Sequence, residues 1–384
     1  MSEEIDILIA AQGFHQLIGD LLEALDDEWL SQVHSRMRPG GRIDLASLGQ
    51  AIFFEQFRFT YAEVKELVIH LDLPGEFVCP EARVKEDSFT ALCMLLRRLA
   101  SPARLCDIEM QCGWEATRFS RITRLVAQHI YNRWKHLLRF DPTRLTPYVL
   151  EQFAQCMHAK GSPHSHVCSL MDGTLEEISR PTRNQRLVFN GWKRMHCLKY
   201  HVIISPDGMI IHVFGPIEGR RHDEMCFKQS GVLQILEKHF WTPGTPETHK
   251  PLIVYGDPAY TVSTHVCTPY KGAALTEAQH LFNTRMSRIR EPVEWVFKEI
   301  GDQFGFLNFT KNQKLLLQPV GLYYLVAVLL CNCHTILHHL QISQYFRCKP
   351  PTLAEYFQGG PVADEELDAW CLQALWAEMD VPDE

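Results

Sequence analysis

Apolar residues recur at helical spacing near the start of the chain, in Ile5-Asp6-Ile7-Leu8-Ile9 and at Phe14, Leu17, Leu21, Leu22 and Leu25. That period lines one face of a helix, and Leu73-Pro74-Gly75 breaks it. Helical spacing resumes near Ser88, where Leu92, Leu95, Leu96 and Leu99 share a face up to Ser101-Pro102. A short helix then ends at Gly113, and a longer one follows with Ile122, Leu125 and Val126 turned inward. Short helix, glycine turn and longer helix is the order of a helix-turn-helix. On the outward face Arg118, Arg121 and Arg124 recur every three residues, placed to meet phosphates or a major groove.

After Lys160-Gly161-Ser162-Pro163 the period changes from helical to alternating or continuous β-branched runs. His201-Val202-Ile203-Ile204-Ser205 and Met209-Ile210-Ile211-His212-Val213-Phe214 flank Pro206-Asp207-Gly208, a hairpin signal. Runs into Asp172 and Asp257 predict two more strands, and a fifth falls near 262–268. Helices are expected over 226–238, 276–288 and 292–303. The reading is a mixed α/β (α+β) domain preceded by an all-helical region. The expected division is an acidic helical region over 1–75, a helix-turn-helix-like DNA-binding region over 76–160, a catalytic domain over 161–345 and an acidic tail over 346–384. The apolar run at 320–331 is too short to span a bilayer and reads as a buried helix, so no membrane contact is expected.

Charge sharpens the picture. The 384 residues carry a formal net charge of −8, which taken alone argues against a polyanionic partner. Residues 1–30 and 361–384 each hold eight Asp/Glu and no Lys/Arg, so 38 basic residues face 30 acidic ones elsewhere. From Arg97 to Arg144 there are ten Lys/Arg against four Asp/Glu. A basic body between acidic ends suits a polyanion, although a solvated basic helix face has the same composition. Thirteen cysteines without a pair of Cys-x-x-Cys motifs read as reduced thiols. Cys156, His158, His164, His166 and Cys168 are ligand types that zinc accepts, but their spacing matches no zinc signature and also fits an extended segment. Cys331-Asn332-Cys333-His334 reads as core.

Three acids carry the candidate chemistry. Asp172 and Asp257 close apolar strands, and Glu294 lies in a helical segment. Two carboxylates at strand ends and one on a helix can hold two hard cations, Mg²⁺ or Mn²⁺, which counter the charge and poor leaving group of a phosphodiester. Asp223, in Gly219-Arg220-Arg221-His222-Asp223, competes as a fourth acid; its other reading is an ion pair with Arg220 or Arg221. Each acid alone also fits a turn or a surface position.

Together the motifs are more specific. Met171-Asp172-Gly173-Thr174, Arg180-Pro181, Phe189-Asn190-Gly191-Trp192-Lys193-Arg194-Met195-His196, Pro206-Asp207-Gly208, Gly215–Asp223, Gly256-Asp257-Pro258-Ala259-Tyr260, Asn283, Arg290, Val293-Glu294 and Asn312-Gln313-Lys314 resemble eukaryotic PIF/Harbinger-type transposases. The resemblance spans about 156 to 357, extends plausibly back to about 88, and leaves out the acidic ends. It implies an RNase H-like mixed sheet flanked by helices, with a DDE triad of Asp172, Asp257 and Glu294 that binds a divalent metal cation, two ions in all. It also implies hydrolysis at transposon ends followed by strand transfer. Double-stranded DNA is the implied partner, with a Myb/SANT-like protein that assists nuclear entry, and a homodimer or higher assembly to join two ends. Lys193, Arg194, Arg220 and Arg221 would hold phosphates near the site. Two positions depart from the family: Trp192 stands where a histidine is frequent, and Pro292 stands where a helix usually continues. A DNA-binding protein that has lost catalysis is the rival reading, and a helical protein scaffold using the acidic ends is a third.

Overall fold

The computed structural model describes residues 41–358 apart from Leu316. Residues 1–40 of the acidic region read over 1–75, and 359–384 of the acidic tail read over 346–384, lie outside the described residues. Two helices come first, α1 (Gln50–Phe57) and α2 (Tyr61–His70), the latter opened by a capping box between Thr60 and Glu63. The segment expected to be wholly helical contains an antiparallel hairpin, β1 (Glu76–Cys79) and β2 (Val84–Asp87), paired from Glu76↔Asp87 to Cys79↔Val84. Its strands are four residues each, too short for alternation to show in the sequence.

Asp87 then caps α3 (Ser88–Ala100). This helix buries even Arg97 and Arg98, and the Arg98 guanidinium lies 4.1 Å from the Phe306 ring centroid, tying the helical region to the C-terminal half. Next come α4 (Leu105–Cys112) and α5 (Ala116–Trp134), separated by Gly113 at φ 65°. Glycine is needed there twice over, since a Cβ would stand 1.6 Å from the Gly41 carbonyl oxygen. Thr146 caps α6 (Pro147–Ala159), whose first-turn proline gives up a hydrogen bond the helix would not have made.

The central strand is β3 (Val167–Glu177). After the single turn α7 (Gln185–Val188) come β4 (Phe189–Asn190), β5 (Met195–Ile204) and β6 (Ile210–Glu218). Then follow α8 (Asp223–Gln229), α9 (Val232–His239), β7 (Ile253–Tyr255) and β8 (Val266–Cys267). The sheet is mixed. β5 is antiparallel to both β3 and β6, while β7 is parallel to β3 and β8 is parallel to β7. β4 pairs with the start of β5. The expected helix over 226–238 is two helices, because Gly231 at φ 67° breaks it. The strand expected from His201 begins at Met195, the polar residues before it being carried by pairing with β3.

α10 (Glu277–Arg290) and α11 (Pro292–Gln303) follow, then α12 (Val320–His338), α13 (Gln341–Phe346) and α14 (Leu353–Tyr356). α12 runs past the expected end of its apolar stretch to His338 and is long and apolar enough to cross a membrane by length and composition. Here 94% of its apolar window is buried inside the protein. It packs against β6, α5 and α11 as the core helix of the molecule. Asn332 on it accepts from the Ile210 N–H and donates to the Ile210 carbonyl and the Tyr356 hydroxyl, each at 2.9 Å. The cluster from Cys156 to Cys168 is spread over the end of α6, the following loop and buried β3. His158 is spent on the Ser162 carbonyl, and among the described residues no group of three or more His, Cys, Asp or Glu is arranged to hold a metal.

Candidate functional site

β3 and β7 set the site by register. Leu170 pairs with Tyr255 in the parallel ladder, so two residues further on Asp257 comes level with Asp172. β7 has ended by then, and Asp257 turns its carboxylate to the Ala259 N–H at 2.8 Å. Asp223 begins α8 and lies over Gly173: a Cβ on that glycine would stand 2.2 Å from the Asp223 Oδ1. The missing side chain is what lets a second carboxylate approach the strand beside Asp172. Beneath them Tyr260 is buried, and its hydroxyl has no hydrogen-bond partner. Burial raises the pKa of that phenol, and the charges of Asp223, Asp172 and Asp257 push the same way.

Each carboxylate is already engaged. Arg290, in the last turn of α10, places Nη2 2.5 Å from Asp172 Oδ2, and Asp172 Oδ1 accepts from the Gly173 N–H. Burial raises the Asp172 pKa; Arg290 and the Gly173 amide oppose it, and the Asp257 charge adds to the rise. Lys199 on β5 reaches Asp223 at 3.0 Å and donates to the Arg221 carbonyl at 2.8 Å. The alternative reading of Asp223 as an ion pair with Arg220 or Arg221 is replaced by a pair with Lys199; Arg221 is taken in two hydrogen bonds, 2.9 and 3.0 Å, by Glu218. His201, opposite Gly173 on β5, is buried with both ring nitrogens unpartnered, and burial lowers its pKa to about 4. It is a neutral floor to the site at physiological pH.

Glu294 stands apart from this group. It lies in the first turn of α11, exposed, with no side-chain hydrogen bond or ion pair among the described residues. Pro292 does not kink a helix interior. It is the first residue of α11, and Glu291 before it keeps helical angles, φ −47° and ψ −40°. Arg290, one turn before Glu294, is the residue from this helical arm that touches Asp172.

The predicted DNA contacts divide in the same way. Arg118 is committed to Glu86 at 3.1 Å and to the Lys85 carbonyl. Arg121 and Arg124 are exposed on a face of α5 that continues through Gln128 and Asn132 without an acid. Lys193, Arg194 and Arg220 are exposed. Sequence reasoning gave no role to Arg290, Lys199 or Tyr260. A lysine inside the buried run Leu198-Lys199-Tyr200 was the available signal for one of them, since a charge in such a strand needs a partner.

The oxygen-only donors and the orphaned Tyr260 hydroxyl suit a hard cation in chemical type. Among the described residues the acids are not assembled as a ligand set, because Arg290 and Lys199 hold two of them.

Comparison with known proteins agrees with this layout. Residues 171–332 match the family model described as DDE superfamily endonuclease, a span that contains Asp172, Asp223, Asp257 and Glu294. The chain is 30% identical over 149 residues to a protein of Microchaete diplosiphon described as a probable transposase for insertion sequence element IS702, covering 38% of this chain and 48% of that one. It is 23% identical over 220 residues to Protein ALP1-like of Arabidopsis thaliana, covering 56% and 52%. The chain thus spans about half the length of the curated relatives it matches. No solved structure matches it significantly. Residues 171–332 are thus similar to a DDE superfamily endonuclease domain, and the match runs through Asp172 in the middle of β3 and not at its end as the sequence suggested, Asp257 just past β7, Asp223 at the start of α8 and Glu294 in α11.

Proposed function

We propose that this chain is a divalent-metal-dependent DNA nuclease and strand transferase of the PIF/Harbinger transposase type, with an RNase H-like catalytic core. The observation that carries the reading is the register that brings Asp257 level with Asp172 on the central strand. Asp172 and Asp257 would hold Mg²⁺ or Mn²⁺, Glu294 would complete the shell of a second ion, and Asp223 is placed beside them. When bound, the ions supply Lewis-acid stabilisation of the attacking and leaving oxygens of a phosphodiester. Arg290 holds Asp172 in their absence and opposes the rise that burial imposes on its pKa, and Lys199 holds Asp223 in an ion pair. The exposed cations Lys193, Arg194 and Arg220 would position phosphates of double-stranded DNA, and Arg121 and Arg124 on α5 would bind it away from the chemistry. The same reading includes transposon ends and target DNA as substrates, at least a dimer to join two ends, a nuclear site of action and a Myb/SANT-like partner.

One observation favours a second reading, a DNA-binding protein without catalysis: Arg290 occupies Asp172 while Glu294 faces solvent. The two are separated by Asp257→Asn. On the first reading the variant loses Mg²⁺-dependent cleavage and Mn²⁺-induced thermal stabilisation but keeps DNA affinity. Equal cleavage by variant and parent would end the site assignment. DNA binding with no cleavage by the parent would establish the second reading.

A further inference from the structure

The turn between β4 and β5 carries Trp192 at 90% exposure, the most exposed large apolar side chain among the described residues. The turn is ordered, not slack. Asn190 accepts from the Lys193 N–H at 2.9 Å and donates to the Gly219 carbonyl at 2.7 Å, and Arg194 is held at φ 55°. The turn therefore presents the indole to solvent. The segment around it carries one sign of charge, and the nearest acids along the strands, Glu176 and Glu177, lie at the base of the turn. Residues 178–198 contain Arg180, Arg183, Arg186, Lys193 and Arg194 and no Asp or Glu. All five are exposed, and none is paired with a carboxylate among the described residues. Arg180 bonds only the Gln185 side chain.

We propose that Trp192 is a stacking platform for an unpaired nucleobase of bound DNA, with the cations around it holding the flanking phosphates. The proposal rests on the DNA-processing reading above and adds to it the form of DNA that is preferred. A flat ring is covered well by another flat ring, and successive bases along a basic groove are bound in this way whatever their identity. In an intact duplex both faces of each base are taken by its neighbours. Only a single-stranded, terminal or extruded base can cover an indole. Position agrees: β3 continues five residues beyond Asp172 to Glu177, which pairs with Cys197 at the base of the β4–β5 turn. At about 3.3 Å per residue that base is roughly 17 Å from Asp172, within one turn of duplex from the acids. A basic, tryptophan-tipped turn could also meet an anionic lipid surface. The siting on the sheet that carries Asp172 favours nucleic acid, and lipid is made an outcome of the test.

The experiment is an anisotropy titration of the parent, Trp192→Ala and Trp192→Phe with a labelled blunt duplex and with the same duplex bearing a short unpaired thymidine tail. Phosphatidylserine vesicles form a third arm. The parent should prefer the tailed duplex; Trp192→Ala should weaken tailed binding by roughly 5- to 150-fold and erase the preference, and Trp192→Phe should keep most of it. Full retention of the preference by Trp192→Ala, or no preference in the parent, overturns the stacking role and leaves the nuclease reading standing. Loss of vesicle binding by Trp192→Ala with tailed-DNA affinity unchanged assigns the turn to lipid. Failure of the parent to bind either DNA at low salt removes the DNA-processing reading as well.

Discussion

Gly173 decides how many carboxylates the central strand can gather. Its angles are those of an ordinary strand residue, so the glycine is there for space: Asp223 Oδ1 occupies the position a Cβ would need. Gly173→Ala should push Asp223 off Lys199 and away from Asp172. Asp223 is half-buried and can swing outward, but the buried Lys199 would keep only the Arg221 carbonyl, so the cost in stability should be about 1–3 kcal/mol. If Asp223 serves the reaction, cleavage should fall about tenfold or more, since small displacements of reacting groups are costly. Denaturant melts and cleavage rates measured together check this, and an unchanged rate would make Asp223 a structural partner of Lys199 only. At the same scale, Asp172 shows why a largely buried carboxylate is kept beside a guanidinium: burial raises its pKa, and Arg290 opposes the rise.

At the scale of the element, α5 shows how a helix divides its labour. Phe119, Ile122, Val126 and Ile130 are buried against the rest of the molecule, and Arg121, Arg124, Gln128 and Asn132 lie opposite in solvent. Arg118, on the boundary between the two, turns back to Glu86. A DNA contact by this helix would therefore fall to Arg121 and Arg124. Arg121→Ala should weaken DNA binding and reduce the slope of log affinity against log salt by about one, the signature of a lost phosphate contact. An unchanged slope would take α5 out of the interface. The arm from α10 to α11 is the second element with a functional consequence. Because Glu291 stays helical and Pro292 sits in a first turn, Arg290 and Glu294 remain one turn apart on a nearly continuous helix.

Across the whole molecule, α12 is the part everything else is built on. Its burial would leave the amide of Asn332 stranded unless it were fully used, and it is: the side chain closes two hydrogen bonds on Ile210 in β6 and one on Tyr356 in α14. One residue thus joins the core helix to the sheet and to the last helix described. Asn332→Leu keeps the γ-branched shape, at a larger volume, and removes all three bonds to Ile210 and Tyr356. It should cost about 2–4 kcal/mol in a urea melt, at the upper end for lost hydrogen bonds because the groups left behind cannot reach water. A change under about 0.5 kcal/mol would mean that the core relaxes around the leucine.

Periodicity alone carried the order of helices after Ser88, the Asp-Gly hairpin, the strands that lead into Asp172 and Asp257 and the helix that begins at Pro292, because those segments bury one face over several turns or residues. The acids were visible for the same reason: a carboxylate that ends an apolar run is conspicuous. The β1–β2 hairpin, the two-residue β4 and the break at Gly231 were not legible, since a few residues hold too few alternations to outweigh neighbouring patterns. What only the tertiary structure decided is pairing between distant residues. Asp223 meets Lys199 and not its neighbouring arginines, Arg290 meets Asp172 across 118 positions, and Arg118 is withdrawn from solvent by Glu86. A sequence reports which residues are charged and on what period they recur. Which charge meets which depends on strand register and on where helices cross, and these are set by burial of the whole core at once.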